Sequence, residues 1–211
     1  MNDHGKNSTT ASLILICDTN VLLKMALFKR TLMFEAEYRW GKIAVPKSIV
    51  NELRRWLKKP GHRKVKKFGK EIIEDTIKRC SGLYKVIAEV PEEIFEKRDR
   101  TIESMAKGLA IEQKGDDPSD EDRELMVLAV ENNANLASDE KLHHSLSHCL
   151  AVGREVCSFG MLVKDLFDQN KISKEDVQVG WSVLEYHNEG VRRDDRSILF
   201  DITKENPSKN K

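Results

Sequence analysis

Leu13-Ile14-Leu15-Ile16-Cys17-Asp18-Thr19-Asn20 is the stretch from which the fold is read. Its first five residues are apolar at every position, the pattern of a short strand buried on both faces, as in a parallel sheet flanked by helices. Asp18 follows at once, so the strand delivers a carboxylate to its own carboxyl end. In a parallel sheet covered by helices, ligands gather at that end.

Working outward, Ile43-Ala44-Val45 before Pro46, Leu136-Ala137 and Val156-Cys157 are further short apolar runs. Helical patterns separate them. One follows the first strand to about Tyr38. Another opens at Pro46-Lys47-Ser48 and carries Ile49, Leu53, Trp56 and Leu57. A basic helix is expected from Arg63 to Arg79, and the alternation of Tyr84 to Val90 predicts a strand. Pro91 opens a long charged helix that ends before Gly115. Pro118 with Ser119 or Asp120 caps the next, which is apolar almost all round from Leu125 to Val130 and therefore buried. Helices follow at Glu140 to Leu150 and Gly160 to Phe167. Ser173-Lys174-Glu175-Asp176 has the form of a capping start for a helix ending near His187. The charged tail from Gly190 holds one apolar island, Ile198-Leu199-Phe200, which either docks or stays unstructured. Short strands alternating with helices predict an α/β sandwich with a parallel sheet.

Four carboxylates occupy telling places in that frame. Asp18 and Asp139 each follow a strand and share a rim. Glu52 lies on the stripe of Ile49 and Trp56, at offsets of three and four, and so points partly inward. Asp122 heads the stripe of Leu125, Met126 and Ala129. Asp117, Asp120 and Glu124 crowd Asp122 and stand as alternatives to it. Carboxylates on inward faces are costly unless neutralised, and Mg²⁺ or Mn²⁺ is the neutraliser that suits all-oxygen ligands. Asn20 and Ser138 are the candidate supports around such a site. His143, His144 and His148 share a helix, but no Cys or Glu partner stands at zinc-site spacing.

The 211 residues suit one domain, with room for a small appendage. Net charge is only +1, so bulk charge names no partner; its distribution does more. Arg54, Arg55, Lys58, Lys59, Arg63, Lys64, Lys66, Lys67 and Lys70 run without an intervening acid, whereas Asp116 to Glu124 is strongly acidic. A metal at one place and a polyanion at another fits that asymmetry. The four cysteines form no Cys-x-x-Cys, nothing has the look of a secretory signal, and no apolar run approaches the roughly 20 residues that span a bilayer. A cytoplasmic protein with reduced thiols is expected.

Ile16-Cys17-Asp18-Thr19-Asn20-Val21-Leu22 resembles the opening strand and Asp-Thr-Asn signature of the PIN-domain nucleases. Val45 to Leu53, ending in Glu-Leu, is similar to that family's second element. Ser119-Asp120-Glu121-Asp122 resembles its Ser-x-x-Asp helix start, Leu136 to Leu142 its final acidic turn, and Val156 to Phe159 its closing strand. The match runs in order through residues 12–170. It implies a three-layer α/β/α sandwich with a central, mostly parallel sheet, a helical basic insertion at about 60–115 and a C-terminal extension over 171–211. It also implies Mg²⁺- or Mn²⁺-dependent endoribonuclease activity, with Asp18, Glu52, Asp122 and Asp139 as metal-binding, catalytic acids. By the same resemblance the partners are single-stranded RNA, mRNA or tRNA, held by the basic run Arg54 to Lys67. An antitoxin protein and a second copy of the chain are further expected partners, if the chain is a toxin nuclease. The long insertion resembles the helical spike of small protein-only RNase P enzymes, which implies an alternative role on structured RNA such as tRNA precursors. A non-catalytic RNA- or protein-binding PIN-like module is the other alternative. Ala137 stands where many relatives have Thr.

Overall fold

The computed structural model describes residues 13–113, 119–149, 155–187 and 193–204. The chain is mixed α/β and mostly helical, built on one four-stranded parallel sheet in the order β2-β1-β3-β4. The strands are β1 (Ile14–Cys17), β2 (Lys42–Ala44), β3 (Asn135–Ala137) and β4 (Val156–Cys157). β1 lies between β2 and β3, with Ile16 opposite Ala44 on one side and Leu136 on the other. Leu15, Ile16 and Cys17 are fully buried, as a strand apolar on both faces requires.

Eleven α-helices are described around this sheet: α1 (Thr19–Phe28), α2 (Leu32–Trp40), α3 (Lys47–Lys58), α4 (Arg63–Phe68), α5 (Lys70–Cys80), α6 (Glu92–Gln113), α7 (Asp120–Glu131), α8 (Lys141–Cys149), α9 (Phe159–Asp168), α10 (Lys174–Tyr186) and α11 (Arg193–Lys204). From β1 the chain returns to β2 on one side; the later strands β3 and β4 lie on the other. The connections therefore part beyond the carboxyl ends of β1 and β3, which opens a crevice there.

Two elements differ from the sequence expectation. The single basic helix from Arg63 to Arg79 is two helices, because Gly69 takes a φ of +84° that ends α4 and re-aims the chain into α5. The expected strand over Tyr84 to Val90 is instead a 3₁₀ turn, Leu83–Val86, followed by irregular chain. Alternation supplies a half-buried face, but a strand also needs a sheet edge in register, and this segment packs beside β2 without pairing to it.

Other local signals are realised. Ser119 caps α7 and Ser173 caps α10, each in a reciprocal pair with the aspartate three residues on. α6 buries Ile102 and Ala106 and is tied to α7 by Arg98–Glu131 (2.7 Å) and Asp99–Arg123 (3.0 Å), which sets where α7 starts. α10 packs on α1, and α11 packs on α9 and α10. The tail island docks: Leu199 and Ile202 are buried, while Phe200 faces out. Asp195 of α11 is itself buried and accepts hydrogen bonds from Ser158 Oγ (2.7 Å) and the Gly160 N–H (3.3 Å) at the start of α9. Among the described residues no helix is long and apolar enough to cross a membrane.

Gly41 brings α2 into β2 with φ +101°, and a Cβ there would stand 2.2 Å from the Leu13 carbonyl oxygen. Gly41→Ala combines backbone strain with a collision against backbone. It is expected to lower stability by about 2 kcal/mol or more, read as a lower urea midpoint with an unchanged slope.

Candidate functional site

Asp18 is locked by its backbone before its side chain is considered. Its N–H donates to the Ala137 carbonyl (3.0 Å), and its own carbonyl accepts the Leu22 N–H (3.0 Å) that opens α1. The residue thus belongs to the sheet ladder and to the helix at once. Its side chain makes no cap hydrogen bond to α1. One carboxylate oxygen, Oδ2, is buried with no hydrogen-bond partner. Burial above all, then the charges of Asp122, Glu140 and Asp139, push its pKa up from 3.8 to about 7.

The crevice beside Asp18 has a volume of about 260 Å³. Its walls include Glu52 and Trp56 of α3, Asp122 of α7, Glu140 after β3, and Lys64 of α4. Glu52 is half-buried and accepts the Thr19 hydroxyl at 2.7 Å. Burial is the main cause that raises its pKa. Asp122 Oδ2 accepts the Ser119 N–H (3.1 Å) and hydroxyl (2.8 Å). Of the acids crowding Asp122, Asp120 is 91% exposed and paired with Arg123 at 2.8 Å, and Glu124 is not on the crevice wall. Asp117 lies outside the described residues.

Asp139 sits one layer behind. Its Oδ2 is paired with the buried Lys24 ammonium at 2.5 Å, and its Oδ1 accepts the Phe159 N–H at 2.8 Å. Its neighbour Glu140, exposed, lines the crevice instead, with a pKa raised by desolvation first and then by Asp122 and Asp139. Glu140 and Lys24 are the residues that sequence reasoning missed. A signal existed for Lys24: it is the one charge in the otherwise apolar run from Val21 to Phe28, and a buried ammonium demands a carboxylate. No signal separated Asp139 from Glu140.

Ser138 and Asn20 each hydrogen-bond a residue of the crevice wall. The Ser138 hydroxyl accepts the Glu140 N–H at 3.1 Å and lies 2.7 Å from His143 Nδ1. His143 Nε2 is 3.0 Å from the Asp122 carbonyl, which can only accept, so that nitrogen carries the proton. Burial keeps His143 neutral, and Nδ1 then accepts from Ser138. The imidazole thereby spaces the Asp122 and Glu140 backbones. The histidines sit apart in role: His144 donates to the Ser138 carbonyl at 2.8 Å, and the His148 side chain lies outside the described residues. Asn20 Oδ1 accepts from Lys64 Nζ at 2.9 Å.

The basic run divides between these places. Arg54, Lys58, Lys59, Arg63 and Lys66 are exposed, Lys64 and Lys67 are half-buried, and exposed Arg55 pairs with Glu121 at 2.9 Å across the crevice mouth. The donor set around Asp18 is all oxygen, which suits a hard divalent cation. As placed, Glu52 is turned to Thr19, Asp122 to Ser119 and Asp139 to Lys24, and among the described residues no three His, Cys, Asp or Glu side chains are grouped closely enough to hold a metal. The chain matches no protein-family model, no curated protein and no solved structure.

The raised Asp18 pKa sets a sign for stability. Well below pH 3.8 the carboxyl is protonated folded or unfolded; as pH rises through 3.8 toward 7 only the unfolded chain releases the proton, so stability falls. Asp18→Asn removes that loss. Its melting temperature is expected to match the parent near about pH 3 and to exceed it near about pH 8; equal differences at both pH values would contradict the burial of a charge-averse carboxyl.

Proposed function

We propose that the crevice is the active site of a Mg²⁺- or Mn²⁺-dependent endoribonuclease, carried on a PIN-like three-layer α/β/α sandwich with α4–α6 as its insertion. The observation that carries this reading is the buried, unpartnered Oδ2 of Asp18, set among other carboxylates where the strand connections part. A purely structural aspartate has no reason to meet three more negative charges there; a cation site does.

Asp18, Asp122 and Glu140 are the acids that would hold the cation, with Glu52 joining when it releases Thr19. Once bound, a divalent ion acidifies a water and steadies the charge that develops in phosphodiester hydrolysis. The chain's own groups do the rest. Lys24 neutralises Asp139, which lets one more acid sit beside the rim without repelling it. Lys64, at the wall, presents an ammonium to a phosphate oxygen. The exposed Arg54, Lys58, Lys59, Arg63 and Lys66 attract the polyanion without reading its sequence. That basic shelf also accommodates the second reading, an RNA-processing enzyme acting on structured RNA. A toxin role with an antitoxin partner, and self-association, are further readings of the same site.

Cleavage of single-stranded RNA and of a tRNA precursor is the direct test. Activity is expected with Mg²⁺ or Mn²⁺ and not in EDTA. Asp18→Asn should lose more than the roughly 10–100-fold typical of groups that only support a metal ligand, and Asp139→Asn should fall within that range. Cleavage that persists in EDTA, or in Asp18→Asn, sinks the assignment. If Asp139→Asn is the more severe and Glu140→Gln is silent, the side-chain roles of 139 and 140 are reversed.

A further inference from the structure

One turn beyond Glu52 on α3, Trp56 begins an aromatic ledge at the crevice. Trp56 of α3 and His62, the residue that caps α4, are stacked with ring centroids 5.4 Å apart and planes 18° from parallel. Lys64 Nζ lies 5.8 Å from the Trp56 ring and 5.6 Å from that of Phe68, which is buried and roots the ledge in the core. The same ammonium donates to Asn20, two residues from Asp18. An ammonium has three donors, and the Asn20 bond uses one. His62 Nδ1 is buried without a hydrogen-bond partner among the described residues.

We propose that Trp56, His62 and Lys64 form a nucleotide subsite in which an unpaired base extends the Trp56–His62 stack and its phosphate takes Lys64 beside Asp18. This deepens the reading of the crevice as a phosphodiesterase site and rests on it for the reaction, though not for binding. Base–aromatic stacking needs an exposed base face, which a duplex denies because each base is already stacked on its neighbours. The crevice, with Trp56 and Lys64 on its wall, has a volume of about 260 Å³, just below the roughly 300–1,000 Å³ of small-molecule sites, and so has no room for a helix. Stacking tolerates any base, so the subsite selects strandedness and not sequence.

Binding is read by anisotropy in EDTA, so that cleavage does not intervene. The probes are a labelled RNA strand of about eight nucleotides, the same strand made abasic, and the strand annealed to its complement. The parent protein is expected to bind the intact strand roughly tenfold more tightly than the abasic one, the scale of one base–aromatic stack, and to disfavour the duplex. Trp56→Ala should bind intact and abasic strands alike, and Trp56→Phe should keep most of the preference. His62→Ala lies on a connecting turn and reads the same loss should Trp56→Ala fail to fold. Lys64→Gln should weaken both strands and reduce the salt dependence by about one phosphate contact. A parent protein indifferent to the missing bases, or a preference that survives both Trp56→Ala and His62→Ala, overturns the subsite. Cleavage of the intact strand in Mg²⁺ is scored separately. Base preference without cleavage supports the subsite and removes the nuclease reading; cleavage without base preference does the reverse.

Discussion

Everything at the rim depends on burying one carboxylate, Asp18, whose Oδ2 has no hydrogen-bond partner among the described residues. Asp18 cannot swing out to water, because its backbone is shared between the sheet ladder and the first turn of α1. Nor does it borrow a donor for Oδ2. The surrounding acids raise the cost, and the structure meets it only in part, through Lys24 at Asp139 and Lys64 at Asn20. Such an arrangement sacrifices stability at neutral pH for a concentration of negative potential at one point.

Much of this was legible in the sequence because it is local. Five apolar residues followed by an aspartate, a serine three residues before an aspartate, and a proline before a helix each act within a turn of chain. Those signals place β1, the caps of α7 and α10, and the start of α3 where expected. The parallel sheet follows from the same runs. What was not legible depends on distant partners. Asp139 and Glu140 are adjacent, and the choice of which one enters the crevice is made by Lys24, 115 residues earlier in the chain. The misplaced strand at Tyr84 to Val90 has the same origin, since its pattern was correct for a pairing edge that the sheet does not offer. The break at Gly69 was foreseeable, as a glycine inside a basic helix is a natural end point.

The ledge shows the same division. Trp56 reads as a member of the α3 stripe, and nothing in its spacing from His62 announces that the two rings stack. Reversal of the chain at the end of α3 brings them together, and α4 then sets Lys64 over both the indole and Phe68. A run of like charges is thus not one surface. Half-buried Lys64 stands apart from its exposed neighbours Arg63 and Lys66 because the short α4 turns it against aromatic rings.

Asp195 links the last described helix to this rim. It holds Ser158 and Gly160 at the start of α9, and the residue between them, Phe159, gives its N–H to Asp139. A Cβ on Gly160 would stand 2.3 Å from the Asp195 Cβ, so the lack of a side chain there lets the two segments meet. During synthesis the chain emerges from its amino end, and β1 with Asp18 is exposed long before Asp195 exists. Asp18 is therefore made well before its buttress, so the rim takes its final form only once α11 has left the ribosome.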